Sequence, residues 1–442
     1  MNRTPVSLPD YSRLIRWNRN FRLLWMAQIV SEIGDWLYTV AIYSLLLEFT
    51  GSAKSVALAF VLQVLPQFFV APAAGVINDR LSRRRVMMFA DWMRAFIVLG
   101  MLFVRSAEWV WFLYVLLFLE TIMWALFEPG RGALVPTIAP EEDRIVANSL
   151  SSVTWSFNLA VGSALGGFVA AVWGRDMVFV VNAVSFVASA LLLQRMRVEE
   201  PHLRDLPPLK ARDLADFTPI AEGVRYVRRD ARMLATLFVK CGLGLMGTNW
   251  VILTIFGERI FPVAMGGFGP SGAGMLGMSF LMGSRGIGAL LGPLIGSYWA
   301  GHDESRLRRG ILYGFLVGAC GYFALAWAPT LPLACLAVVV AHCGGSTIWV
   351  FSTTLLQAQV EDRFRGRVFS AEFAFSMLSM STVSYLAGVL IDGGYGVRTL
   401  AAMTGAIVLG PTLAWSFALA LWRQTPPSQP EDRPAGLDAS AG

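Results

Sequence analysis

The sequence predicts an all-α membrane protein of twelve transmembrane helices, arranged as two six-helix, pseudo-symmetric bundles. Three observations carry that expectation. Of 442 residues, 55% are hydrophobic and only 15% charged, with a mean hydropathy of +0.57, whereas a soluble chain carries about a quarter charged residues. Apolar runs recur along the whole chain, each long enough to cross a hydrocarbon layer of about 30 Å as a helix. Short motifs placed after the second run and before the fifth return at corresponding places in the second half. The runs are continuous rather than alternating, which disfavours a lipid-facing barrel.

The predicted spans are 22–48, 54–77, 86–104, 109–128, 145–172 and 177–194, then 233–257, 273–300, 310–328, 331–357, 368–391 and 397–422. They divide the chain into an N-terminal cytoplasmic segment (1–21), a first bundle (22–194), a cytoplasmic linker (195–232), a second bundle (233–422) and a tail (423–442). The linker is charged and Pro-bearing, with an amphipathic helix expected from Pro219 to Arg229. The tail is Pro-rich and polar, the composition of a disordered cytoplasmic segment. The N-terminus lacks a short apolar core followed by a small-residue cleavage site, so no removable signal peptide is expected. Cys241, Cys320, Cys335 and Cys343 lie inside apolar runs and read as small core residues.

Basic residues set the orientation, because Lys and Arg accumulate in cytoplasmic loops. Arg13, Arg16, Arg19 and Arg22 precede the first span. Arg80, Arg83, Arg84 and Arg85, the linker, Arg306, Arg308 and Arg309, and Arg363, Arg365 and Arg367 follow on the same side. The opposite loops hold Lys54, Arg105, Arg175, Arg259 and Arg398. Both termini are therefore expected in the cytoplasm, with the protein in the plasma (inner) membrane. The net charge of +6 is read as this topological signal plus contact with anionic lipid head groups, not as a nucleic-acid interface. No Walker phosphate loop, metal-ligand cluster or nucleophile elbow occurs, so no nucleotide, metal, cofactor or enzymatic activity is expected.

The halves repeat locally. "APAAGVINDRLSRRR" (71–85) aligns with "GPLIGSYWAGHDESRLRR" (292–309), matching Pro72 and Gly75 to Pro293 and Gly296. "EEDRIVANSLSSVTWSF" (141–157) parallels "VEDRFRGRVFSAEFAFSM" (360–377). Parallel repeats about an axis along the membrane normal characterise one class of transporters. With these motifs the chain resembles the major facilitator superfamily over essentially its whole length. "GVINDRLSRRR" is similar to the superfamily signature between helices 2 and 3, with Ser82 where glycine is usual. "FRLLWMAQIVSEIGDWLY", "FEPGRGALVPTIAPEEDRIVANSL" and "TTLLQAQVEDRFRGRVFS" resemble the macrolide-efflux and enterobactin-exporter branch.

The resemblance implies alternating access by two rocking bundles. It also implies a conformational latch at the 2–3 loop: Gly75, Asp79, Arg80, Arg83 and Arg84, facing Gly366 and Arg367 at the start of the eleventh span. A carboxylate such as Asp79 gains about 0.3–1 kcal/mol at a helix N-terminus. The matching position in the second half is Ala300, so one latch is complete. Asp91 and Arg94, spaced i, i+3, are read as a pair joined to this loop. "VGSALGG" resembles an antiporter signature in which Ser163 replaces proline. Gly162, Gly166 and Gly167 are expected on one face for close helix packing. The fourth span offers Glu120 but no basic residue.

The first span carries Glu32 and Asp35 on one face, about 14 and 18 Å deep by helical rise. Ionised residues at a helix centre cost about 2.5–3.5 kcal/mol each on insertion scales. They are expected to face an aqueous cavity, neutralised by a proton or a cation. Asp35 is the candidate proton carrier, with Glu32 its neighbour or a binder of cationic substrate. A structural ion pair with Arg94 or Arg285 is the alternative. Arg285 itself pairs with an acid or recognises an anionic substrate group. Trp36, Trp124, Trp155, Trp250 and Trp349 lie inside spans as an aromatic cavity lining or as core, and Gln63, Gln67, Asn158 and Gln357 bond across helices or line the same cavity. Lys240 is expected to snorkel towards the cytoplasmic interface, and Glu372 to join the loop latch.

The function expected from the resemblance is proton-coupled efflux of a lipophilic or amphipathic small molecule of the drug, macrolide or siderophore class. The partners are that substrate, protons and membrane lipids. Uptake, lysophospholipid or lipid carriage on the same fold, and a non-transporting receptor or assembly subunit are the alternatives.

Overall fold

The computed structural model describes residues 8–140, 143–200, 203, 218–228, 230–263, 270–301 and 303–424, and among these every regular element is helical. Twelve helices are long and apolar enough to cross a membrane. A short helix α1 (Leu8–Trp17) precedes α2 (Arg19–Thr50), α3 (Ala53–Arg80), α4 (Arg83–Gly100), α5 (Val110–Ile138), α6 (Arg144–Trp173) and α7 (Arg175–Gln194). A surface helix α8 (Thr218–Val227) leads to the second half. There α9 (Ala231–Gly244) continues through a 3-10 turn into α10 (Asn249–Ile255). Then come α11 (Pro270–Ala300), α12 (Glu304–Trp327), α13 (Leu331–Gln359), α14 (Asp362–Asp392) and α15 (Val397–Gln424).

Short polar side chains start these helices by accepting otherwise unpaired backbone N–H groups. Asn18 caps α2, Ser52 caps α3, Ser82 caps α4 and Asp303 caps α12. At the far end of α2, Gly51 takes φ 64° and closes the helix in the left-handed region. That geometry turns the chain back within two residues.

The fourth span, expected to end at 128, continues as helix α5 to Ile138 with Pro129 and Pro136 inside it. The last turns are tied down by side chains from distant segments: Ala133 O accepts from Arg83 and Ile138 O from Asn18. The amphipathic α1 was also not foreseen. Leu14 is buried beneath it, and Arg13 donates to Asp143 at 2.7 Å. The expected tail lies outside the described residues from 425 onward, as does the middle of the linker.

In the first bundle α2 packs on α6 and α7, α4 on α5 and α7, and α3 on α5. In the second, α12 packs on α13 and α15, α11 on α13, and α14 on α9. The bundles meet along two diagonals, α6 with α11 and α3 with α14. We call the side bearing α1 and the end of α15 the terminal face, and the opposite side the distal face.

Candidate functional site

Asp35 sits at the midpoint of α2, where the helix turns it towards α4 and α5. Its Oδ2 accepts from Arg94 Nη2 at 2.6 Å. The same guanidinium donates to Glu120 Oε1 at 2.9 Å, to Asp91 Oδ1 at 3.4 Å and to the Ser31 hydroxyl at 3.3 Å. Phe186 of α7 covers its face at 4.0 Å, and Tyr38 donates to Glu120 Oε2 at 3.2 Å. Arg94, Asp91 and Glu120 are buried, whereas the Asp35 side chain keeps 20% exposure. One guanidinium is thus shared by three carboxyls from three helices. If all were ionised, the cluster would hold two excess negative charges in a medium where like charges repel strongly.

Asp91 and Arg94 therefore belong to this buried cluster rather than to the loop. Their i, i+3 spacing places them on the inward face of α4, about two to three turns beyond its basic start. The second acid, Glu32, has a separate network. Its oxygens accept from Gln28 Nε2 and Asn158 Nδ2, both at 2.8 Å. Gln28 Oε1 in turn accepts from Arg131 at 3.2 Å, and Arg131 is paired with Glu128. Glu32 and Asp35 thus engage side chains of their own bundle instead of the aqueous cavity expected from the sequence.

Aromatic side chains close the space between the bundles. Trp36 of α2 stacks parallel to Trp250 of α10 at 6.1 Å, and Trp155 of α6 meets Trp36 edge-on at 5.5 Å. Phe60 of α3 stacks on Trp250 at 4.8 Å, and Tyr43 approaches it edge-on. Arg285 lies over Trp250 at 3.8 Å. Gln63 accepts from Tyr43, and Gln67 donates to the Gln63 carbonyl. Trp36, Trp155, Trp250 and Arg285 are thus brought together. Trp124 lies in α5 outside this stack, Gln357 is exposed near the terminal end of α13, and Trp349 covers Lys240 at 4.2 Å. Lys240 does not snorkel: it pairs with Glu372 at 2.8 Å in the second-bundle interior. Glu372 is likewise part of that buried pair and not of a loop latch.

The expected latch is not assembled. Asp79 is 72% exposed and faces Arg83 at 3.5 Å, one helical turn away. Arg80 lies beside it, partly exposed. Arg83 donates to the Asn78 and Ala133 carbonyls and Arg84 to Met196 O, all within the first half. The carboxylate that caps the start of α4 is Glu200, which accepts from Ser82 Oγ and Arg83 N. Arg367 pairs with Glu222 of α8 at 2.9 Å, and Gly75 and Gly366 face open space.

Contact between the bundles instead occupies the distal half. Asp392, at the end of α14, accepts from Ser52 Oγ at 2.5 Å, Ala53 N at 2.8 Å and Lys54 N at 3.1 Å. Arg259 donates to Gly51 O at 2.7 Å. A Cβ on Gly388 would meet Lys54 Cα at 2.7 Å, so these backbones touch. The three glycines of "VGSALGG" divide between two partners. Gly162 and Gly166 press on the α2 backbone at Ile33 and Leu37, whereas Gly167 meets Ser279 and Met275 of α11. One residue is a turn of about 100° on a helix, which carries Gly167 to the inter-bundle face.

Sequence reasoning missed Glu200, Gln28, Arg131, Phe60 and Asp392 as partners. Asp392 carried a signal: an acid just before "GGYG", level with the "TGS" that opens α3.

The sequence matches the family described as transmembrane secretion effector over residues 16–435. It is 26% identical over 403 residues to macrolide efflux protein A of Streptococcus pyogenes, covering 89% of this chain and 94% of the relative. It is 26% identical to the MFS-type transporter YfiS of Bacillus subtilis (87% and 88% covered) and 22% identical to that organism's putative bacilysin exporter BacE (84% and 88%). Among solved structures, a POT family transporter superposes with a TM-score of 0.70 at 11% identity, covering 92% of this chain and 96% of that one. A bacterial homolog of the human lysosomal transporter Spinster gives 0.65 at 14%, covering 96% and 100%. With twelve spans, two facing bundles and a family match across almost its full length, the chain belongs to the transmembrane secretion effector family of major facilitator transporters.

Proposed function

We propose that this transporter exports a lipophilic or amphipathic small molecule in exchange for protons, with Asp35 as the proton-carrying group. The observation that carries the reading is the sharing of Arg94 among Asp35, Asp91 and Glu120 at mid-membrane depth. An excess of two carboxyls over cations is balanced by protons, and Asp35 is the member with residual exposure. Gaining a proton removes Asp35's charge from Arg94 and loosens α2 from α4. Losing it restores the 2.6 Å contact. A two-state element biased by protonation is what coupling requires. Glu32, tied to Asn158 of α6, lies one turn before Asp35 and is the second acid available to the coupling.

The excess of basic residues on the terminal face supports a cytoplasmic location for it and for both termini. The open space at Gly75 and Gly366 then faces the cytoplasm, the loading side of an exporter. The distal contacts at Asp392 close the exit. Efflux is supported by the names of the macrolide and bacilysin relatives. One proton moving down about 100 mV supplies about 2.3 kcal/mol, which sustains about a fiftyfold substrate gradient at about 1.4 kcal/mol per tenfold.

The test uses purified protein in proteoliposomes with an imposed pH gradient and a radiolabelled macrolide. Gradient-dependent accumulation, abolished by a protonophore, is expected. Accumulation that ignores the gradient would refute proton coupling.

A further inference from the structure

Among the described residues, cations in the interior of the spans have acids beside them, and Arg285 stands apart. Arg94 meets three carboxyls, Arg131 meets Glu128 and Lys240 meets Glu372. Arg285, midway along α11, has no carboxylate within ion-pair distance among the described residues. Its Nη1 is shielded from solvent and has no hydrogen-bond partner. Tyr43 and Tyr322 are its electrostatic neighbours, yet both hydroxyls donate elsewhere, to Gln63 and to the Met246 carbonyl. The guanidinium is held by the face of Trp250 at 3.8 Å. A membrane-buried arginine left in this condition is costly, and such residues mark substrate pathways.

From this we infer that Arg285 is the recognition point for a carboxylate on the transported molecule. The inference rests on the transporter reading and adds to its substrate range amphipathic guests with an anionic pole. A guanidinium offers two parallel N–H groups that match a carboxylate's two oxygens, and the match strengthens where water is excluded. The adjoining wall suits an apolar or aromatic body: Trp250 is stacked with Phe60 and Trp36, and Trp155 abuts Trp36. Asp35, next to Trp36 in sequence, is engaged by Arg94, so Arg285 is left as the cationic group facing the panel. A guest lying across the panel has its carboxylate directed to one side only. Trp36 and Trp250 belong to different bundles, so parting of the bundles dismantles the panel and releases the apolar body.

The test is calorimetric titration of the full-length protein in nanodiscs with 4-phenylbutyrate, 4-phenylbutanamide and 4-phenylbutylammonium, which share one apolar body. The carboxylate is expected to bind at least about tenfold more tightly than the amide. Arg285→Gln is expected to erase that preference at unchanged Tm, and Arg285→Lys to retain part of it. Equal affinities for carboxylate and amide in the wild type, binding of none of the three, or a preference that survives Arg285→Gln would each overturn the assignment. Because binding is read without flux, such a failure is separable from failure of proton-coupled export, which the liposome assay reads independently.

Discussion

Replacing Asp392 by alanine should open the distal face. In the structure its carboxylate accepts three hydrogen bonds from the first residues of α3, at 2.5, 2.8 and 3.1 Å. Two of these come from backbone N–H groups at a helix start, where the dipole adds to the attraction. Losing such a cap costs about 1–2 kcal/mol. The bonds join α14 to α3 across the two bundles, so they exist only while the distal face is closed. Their loss therefore acts on the open–closed equilibrium and not on either bundle's fold. About 1–2 kcal/mol is a factor of about 5–30 in that equilibrium. Spin labels at Glu108 and Thr330, exposed on distal loops of different bundles, would report it in a chain whose four cysteines are replaced. The expected result is a second, longer distance population that grows in Asp392→Ala and less so in Asp392→Asn. An unchanged distribution would show that the cap does not hold the bundles together.

Gly388→Leu should produce the same opening by a different route, since even a Cβ there lies 2.7 Å from Lys54 Cα; the same label pair checks it. Gly166→Val should instead lower Tm with no shift in the labels, because its Cβ would meet Leu37 O at 2.5 Å inside one bundle. Lys240→Met strands a buried Glu372 and should cost about 3–5 kcal/mol, seen as a lower Tm. The double variant Lys240→Met, Glu372→Leu should recover most of it, and failure to recover would mean that the pair is more than a compensated charge. Glu200→Gln weakens the cap on α4, and faster proteolysis at the turn of Leu81 and Ser82 is the expected readout.

Much of the fold was legible because span length and composition are read directly from apolar runs, and each half had to bury its polar side chains against itself. What periodicity could not show was how far α5 continues beyond Pro129, since its last turns are held by Arg83 and Asn18 from distant segments. The site was legible in parts. Glu32 and Asp35 stood out because charge is expensive at their depth, and the panel tryptophans because they lay inside spans. Arg94 was an alternative ion-pair partner for Asp35 as well as a candidate for the loop, but the choice between them, and the addition of Asp91 and Glu120, are set by helix packing, which no local pattern encodes. The latch was expected at the terminal face because the loop motif is there. Which end is closed depends on the conformational state, and the distal cap at Asp392 rests on a single acid with no repeated motif around it.

The central claim is that the proton on Asp35 drives export. The most direct measurement compares wild type with Asp35→Asn in the same proteoliposomes, scoring gradient-driven accumulation of radiolabelled macrolide and exchange of labelled for unlabelled macrolide without a gradient. The account predicts that the variant keeps exchange and loses accumulation, because the asparagine occupies the same space beside Arg94 but carries no exchangeable charge. Full gradient-driven accumulation in Asp35→Asn would contradict it.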